Sequence, residues 1–231
     1  MKTIGLLGGM SWESTVPYYR VINQTIGERL GGLHSARVVL YSVEFQEIEK
    51  LQHADRWDET AEILTAAARS IEAAGADFLV ICTNTMHKVA AQIEEGIGIP
   101  LLHIADATAG EIKAAGVRTV GLLGTKFTME HDFYRGRIEQ NHGLEVVVPD
   151  AAGRDEVHRV IYEELCLGTV RDDSRDVFRR IIEDLVARGA EAVILGCTEI
   201  SMLVRPEDST VPVFDTTEIH ARKAVDWALE G

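Results

Sequence analysis

Two strand-like stretches of this chain end in corners that bear reactive side chains. One runs Gly75-Ala-Asp-Phe-Leu-Val-Ile-Cys82-Thr83-Asn84-Thr85. The other runs Gly189-Ala-Glu-Ala-Val-Ile-Leu-Gly196-Cys197-Thr198-Glu199. Laid together without gaps, Gly75 falls on Gly189, Asp77 on Glu191, Cys82 on Gly196 and Thr83 on Cys197. One corner thus presents a thiol where the other presents a hydroxyl. If both copies point at one ligand from opposite sides, the fitting chemistry is inversion of a stereocentre. One group removes a proton from carbon and the other returns one to the opposite face. A Cys thiol, with an ordinary pKa of about 8.5, can act as the base if its surroundings lower that value. The backbone N–H groups of a strand-to-helix corner at Cys197-Thr198 are expected to do so.

The elements that must carry these corners repeat along the chain. Thr3-Ile-Gly-Leu-Leu-Gly8 matches Thr119-Val-Gly-Leu-Leu-Gly124, and Ile99-Pro100-Leu-Leu matches Val211-Pro212-Val-Phe. Three matched pieces in one order indicate a duplication. Ser14 or Thr15 is placed to cap a helix with Pro17 in its first turn, and Gly31-Gly32 stops it. Residues 37–45 read as a strand, 44–52 as an acidic loop, and 57–74 as a helix. Further helices are expected over 154–167 and 173–188, with a last one ending at Leu229. Strands alternating with helices predict an α/β fold. We expect two pseudo-symmetric three-layer αβα domains with mainly parallel sheets. The first would comprise residues 1–102 plus 212–231 and carry Thr83. The second would comprise 103–211 and carry Cys197, with the active site in the cleft between them.

The turns after the first strand of each copy, Gly8-Gly9-Met10-Ser11 and Gly124-Thr125, offer backbone amides suited to a substrate carboxylate. The pattern Gly5-x-x-Gly8-Gly9 is not the dinucleotide fingerprint G-x-G-x-x-G. A net charge of −14 over 231 residues argues against nucleic acid or an anionic membrane as partner. The N-terminal apolar run is too short for a signal peptide, and no stretch approaches a membrane span. Three cysteines without a C-x-x-C point to free thiols and a cytoplasmic location. No His, Cys or Asp spacing supports a metal site.

Gly5-Leu-Leu-Gly-Gly-Met10, Thr83-Asn-Thr-Met-His87 and Gly196-Cys-Thr-Glu199 resemble the aspartate/glutamate racemase superfamily over the whole chain. Ser11-Trp-Glu-Ser-Thr15, Phe133-Tyr-Arg-Gly136 and Glu163-Glu-Leu-Cys-Leu-Gly168 are closest to its bacterial branch of aspartate, L-aspartate/glutamate-specific and broad-specificity racemases. The resemblance implies cofactor-independent racemisation, an active site between two α/β domains, and homodimers. Members carry Cys-Asn-Thr in the first half, so by position the first catalytic cysteine is here Thr83, not Cys82. The resemblance also implies substrate contacts at Met10, Gln52, Asn84, Thr85, Thr125, Thr198 and Glu199, with Cys166 standing where relatives have Lys. A hydroxyl is a poor base, so turnover is expected to be faster from the L-enantiomer. The preferred amino acid stays open.

Blander readings stand beside these. Cys82 should point away from Thr83 by strand alternation and serve packing, as should Cys166. His87 reads as a satisfied structural histidine, and Lys126 as a surface lysine rather than a pyridoxal-phosphate ligand. Sibling chemistries on one scaffold are hydantoin racemase, maleate isomerase and arylmalonate decarboxylase. Maleate isomerase would want a cysteine where Thr83 stands. A non-catalytic amino-acid-binding protein is the rival from another class.

Overall fold

Ile4–Gly8 is apolar on both faces, and it forms a strand, β1, that is buried along its length. The computed structural model describes residues 1–230. The strands after β1 are β2 (Val38–Ser42), β3 (Phe78–Ile81) and β4 (Leu101–Leu102), which join it in the order β2-β1-β3-β4. A second sheet has β5 (Thr119–Gly124), β6 (Glu145–Val147), β7 (Ala192–Gly196) and β8 (Val213–Asp215) in the order β6-β5-β7-β8. Every pairing is parallel. The chain divides into two units, Met1–Ile104 with the residues from His220 onward, and Ala105–Ile219. The expected return to the first domain at 212 is therefore too early. Strand β8 pairs with β7, which keeps 213–215 in the second unit.

The duplication extends to strand register. Ile4 pairs with Phe78 as Val120 pairs with Ala192. Gly5 pairs with Val39 as Gly121 with Val147, and Leu79 with Leu101 as Val193 with Val213. The same backbone bonds recur at the strand starts. Asp77 N–H donates to Thr3 O, and Glu191 N–H to Thr119 O, each at 2.9 Å. The side chains repeat the theme: the Asp77 carboxylate accepts from Thr3 N–H, and that of Glu191 from Arg118 and Thr119 N–H. Gly75 and Gly189 precede these strands at φ of 92° and 100°, where a side chain would strain the backbone. At Gly121 an added Cβ would lie 2.9 Å from Leu185, and at Gly5 it would strike Ile71. Those two contacts belong to equivalent helices, Asp172–Ala187 and Trp57–Ala73, each pressed on its sheet at a glycine.

Four local expectations change. The first helix is Trp12–Leu30, and its N-cap is Ser11 rather than Ser14 or Thr15. The hydroxyls of Ser14 and Thr15 turn back to donate to Ser11 O at 2.8 and 2.9 Å. Pro17 lies inside that helix, which loses the bond to the carbonyl of residue 13. The strand expected over 37–45 stops at Ser42, and 44–52 is not a loop. Glu44 caps a helix, Phe45–His53, by accepting from Gln46 and Glu47 N–H at 3.0 and 2.9 Å. Ile48, Leu51 and Gln52 recur at helical spacing and form its buried face.

One face of the first sheet packs Ile4, Leu6, Phe78 and Val80 against Tyr18, Ile22 and Ile26 of the Trp12–Leu30 helix. Ala221, Ala224 and Val225 of the C-terminal helix close the same core. His220 is the polar group within it. Its Nε2–H donates to Leu102 O at 2.9 Å, so Nδ1 is the acceptor for the Tyr18 hydroxyl at 2.8 Å. This ring is neutral, and burial pushes its pKa down to about 4 from 6.5. The unfolded chain accepts a proton below pH 6.5 that the folded core refuses. Stability is thus complete above pH 6.5 and falls as pH drops toward about 4, by roughly 3 kcal/mol at the low end. We expect a lower urea midpoint at pH 5 than at pH 7.5, with a flatter dependence in His220→Gln.

Candidate active site

In the order β2-β1-β3-β4, the chain leaves β1 for opposite sides of the sheet, so the carboxyl ends of β1 and β3 flank a topological switch point. Met10 follows β1, and Thr83, Asn84 and Thr85 follow β3. All four are buried. Beyond them a 3₁₀ turn, Thr85–Val89, carries His87. The Nε2 of His87 accepts from Ile104 N–H at 3.2 Å, which leaves Nδ1–H to donate to Thr83 O at 2.8 Å. Its neutral ring therefore braces the backbone of the Thr83 corner. It also lies against the His103 ring, tilted by 59°, with ring centroids 4.5 Å apart. Gln52 is buried and its Nε2 lies 3.6 Å from Met86 Sδ. Cys82 belongs to the apolar core, and burial drives its thiol far above the ordinary range.

The second unit has the same switch point between β5 and β7. Thr125 follows β5 and caps the short helix Lys126–Glu130, its Oγ1 accepting from Thr128 N–H at 3.3 Å. Cys197, Thr198 and Glu199 follow β7, all buried. The Cys197 thiol donates to Glu199 Oε2 at 2.9 Å, and the Thr198 hydroxyl donates to the same oxygen at 2.7 Å. Cys166 Sγ lies 3.8 Å from Glu199 Oε1. Cys166 sits on a 3₁₀ turn, Leu165–Leu167, next to the buried Glu164. The Glu164 carboxylate accepts from Ser174 Oγ at 2.6 Å and Arg159 Nη1 at 3.0 Å.

This arrangement reverses the expectation for the thiol. Burial, and then the negative charge of Glu199, push the Cys197 pKa well above its ordinary value rather than below it. The helix that follows, Ile200–Leu203, is only one turn long. Its N–H dipoles are outweighed by a carboxylate in contact with the sulfur. Lys126 pairs with Asp155, as a surface lysine would.

A family profile described as Asp/Glu/Hydantoin racemase matches residues 7–224. The chain belongs to this racemase family. It is 24% identical over 231 residues to RacX, a broad specificity amino-acid racemase of Bacillus subtilis (strain 168), spanning 98% of each chain. It is 58% identical to a Yersinia pestis protein whose crystal structure is described as that of a candidate Asp/Glu racemase, with a TM-score of 0.93 and full coverage of both chains. It is 38% identical to PH1733, an aspartate racemase homologue from Pyrococcus horikoshii OT3, with a TM-score of 0.86 and full coverage of both.

In this racemase-family chain, each unit gathers its own share of the expected site residues at one switch point. Met10 is brought to Thr83, Asn84 and Thr85 in the first unit, and Thr125 to Cys197, Thr198 and Glu199 in the second. Gln52 stands apart on its helix and reaches the Thr83 segment through Met86. From sequence, Glu199 is placed either to orient the surroundings of Cys197 or to cap a helix; its side chain contacts the sulfur and makes no cap bond. The available signal was its place two residues after the thiol. Among the described residues, no three His, Cys, Asp or Glu side chains are grouped to hold a metal ion. Nor, among them, is any helix long and apolar enough to cross a membrane.

Proposed function

We propose that this racemase-family isomerase inverts Cα of aspartate or glutamate without a cofactor, by proton transfer on two faces. Cys197, as thiolate, removes Hα from the L-enantiomer. The Thr83 hydroxyl returns a proton to the other face and regains one from solvent. The substrate carboxylate is held by the amides and hydroxyls of Met10, Asn84, Thr85, Thr125 and Thr198, donors that also stabilise charge spreading into it during deprotonation. Gln52 serves as a polar contact for the rest of the amino acid.

The observation that carries this reading is the matched register. Thr83 and Cys197 each stand two residues beyond equivalent paired positions, Ile81 with Leu7 and Leu195 with Leu123. Duplicated strands thus deliver an unequal pair to equivalent corners. Following the Hα signal of L-aspartate and L-glutamate by NMR in deuterated water tests it. Loss of the signal, with the D-enantiomer appearing, is expected. Binding with the proton left in place would identify an amino-acid-binding protein, and exchange confined to hydantoins would identify the sibling chemistry.

A further inference from the structure

We propose that Glu199 is a positioning residue that takes up the thiol proton of Cys197 and so turns the cysteine into a base. The inference rests on the racemase reading above. Its ground is geometry within one corner. The Cys197 thiol points at Glu199 Oε2 from 2.9 Å, and both side chains are buried. If the thiol proton left for solvent, a thiolate and a carboxylate would face each other at that distance. Buried like charges so close do not both ionise. Moving the proton from Sγ to Oε2 breaks one S–H bond, forms one O–H bond and keeps the charge of the corner at one negative unit.

The neighbours suit this role. Thr198 donates its hydroxyl to Oε2, and the Cys166 sulfur lies beside Oε1, so the carboxylate is oriented before transfer. Glu164, anchored by Ser174 and Arg159, adjoins the turn that carries Cys166. After transfer the thiolate takes Hα and becomes a thiol again, leaving Glu199 protonated. That proton leaves to solvent when product departs, while the Thr83 side regains one. The count of protons closes over a turnover.

The test uses the full chain with Glu199→Gln, Glu199→Asp and Cys197→Ala. Two quantities are measured: kcat for Hα exchange on L-aspartate, and the pH midpoint for iodoacetamide alkylation of Cys197, located by mass spectrometry. Glu199→Gln should lose about 10²-fold or more in kcat. Its alkylation midpoint should move down, because the carboxylate charge no longer opposes ionisation of the thiol. A more acidic thiol that is nevertheless a worse catalyst is the signature of a missing proton acceptor. A purely structural role would lower kcat without lowering the midpoint, and that result would overturn the proposal. So would a Glu199→Gln variant with undiminished kcat. Should the Gln variant not fold, Glu199→Asp decides. Its shorter carboxylate should lower kcat while the midpoint stays high, and unchanged kcat would count against the proposal. Activity surviving in Cys197→Ala would instead defeat the racemase reading itself.

Discussion

Replacing Cys197 by alanine should lower turnover on L-aspartate by about 10³-fold or more, the upper part of the range for losing a general base. The fold should survive. Cys197 is small and sits at a strand end rather than in the sheet core, and it is 8% exposed. Removing one sulfur there costs about 1 kcal/mol of packing, a shift of a few degrees in thermal midpoint for a chain of this size. Chiral chromatography of the product beside a thermal melt separates the two effects. A loss of activity that merely tracks a loss of folded protein would argue for a structural thiol. The Glu199 carboxylate makes this comparison sharper. Without the sulfur, it keeps the donor Thr198 at 2.7 Å, so the corner is not left with an unpartnered charge.

The second large effect is directional. A thiolate can take a proton from carbon, whereas an alkoxide at Thr83 is out of reach near neutral pH. If Cys197 is the base toward the L-enantiomer, as proposed, turnover from that enantiomer should exceed turnover from the D-enantiomer by about 10²-fold. The equilibrium between enantiomers lies at unity, which forces kcat/KM to be equal in the two directions. The slower direction must then show a KM lower by the same factor. A cysteine at position 83 would supply a second thiol, so Thr83→Cys should raise kcat from the D-enantiomer and shrink the difference.

Much of this architecture was legible because apolar strands and their bounding glycines leave strong marks in sequence. The match of Gly75–Thr85 to Gly189–Glu199 makes Thr83 the sequence equivalent of Cys197, and the shared register of β1 with β3 and of β5 with β7 carries that equivalence into the strands. Cys82, despite its place beside the motif, lies in the core, as strand alternation implied. His87 is satisfied on both ring nitrogens, as a structural histidine should be. Other features depended on contacts that no local pattern carries. Residues 44–52 read as an acidic loop in sequence, because Glu44, Glu47 and Glu49 obscure the Ile48-Leu51-Gln52 face that helix formation buries. The chain returns to the first unit later than 212 because Pro212 marks a strand start, and only pairing with β7 shows which sheet that strand joins. Burial and the Glu199 carboxylate reverse the direction expected for the Cys197 thiol. A helix N-terminus is visible in sequence, but the direction in which Glu199 aims its carboxylate is decided by the buried geometry of the corner.

On the proposed mechanism, two equivalent corners hold unequal proton-handling groups, with Cys197 the stronger base of the pair. The most direct measurement is the initial turnover of the wild-type enzyme at saturating L-aspartate and, separately, at saturating D-aspartate, each followed by chiral chromatography. A much larger kcat from the L-enantiomer is expected. Equal turnover numbers from the two enantiomers would contradict it.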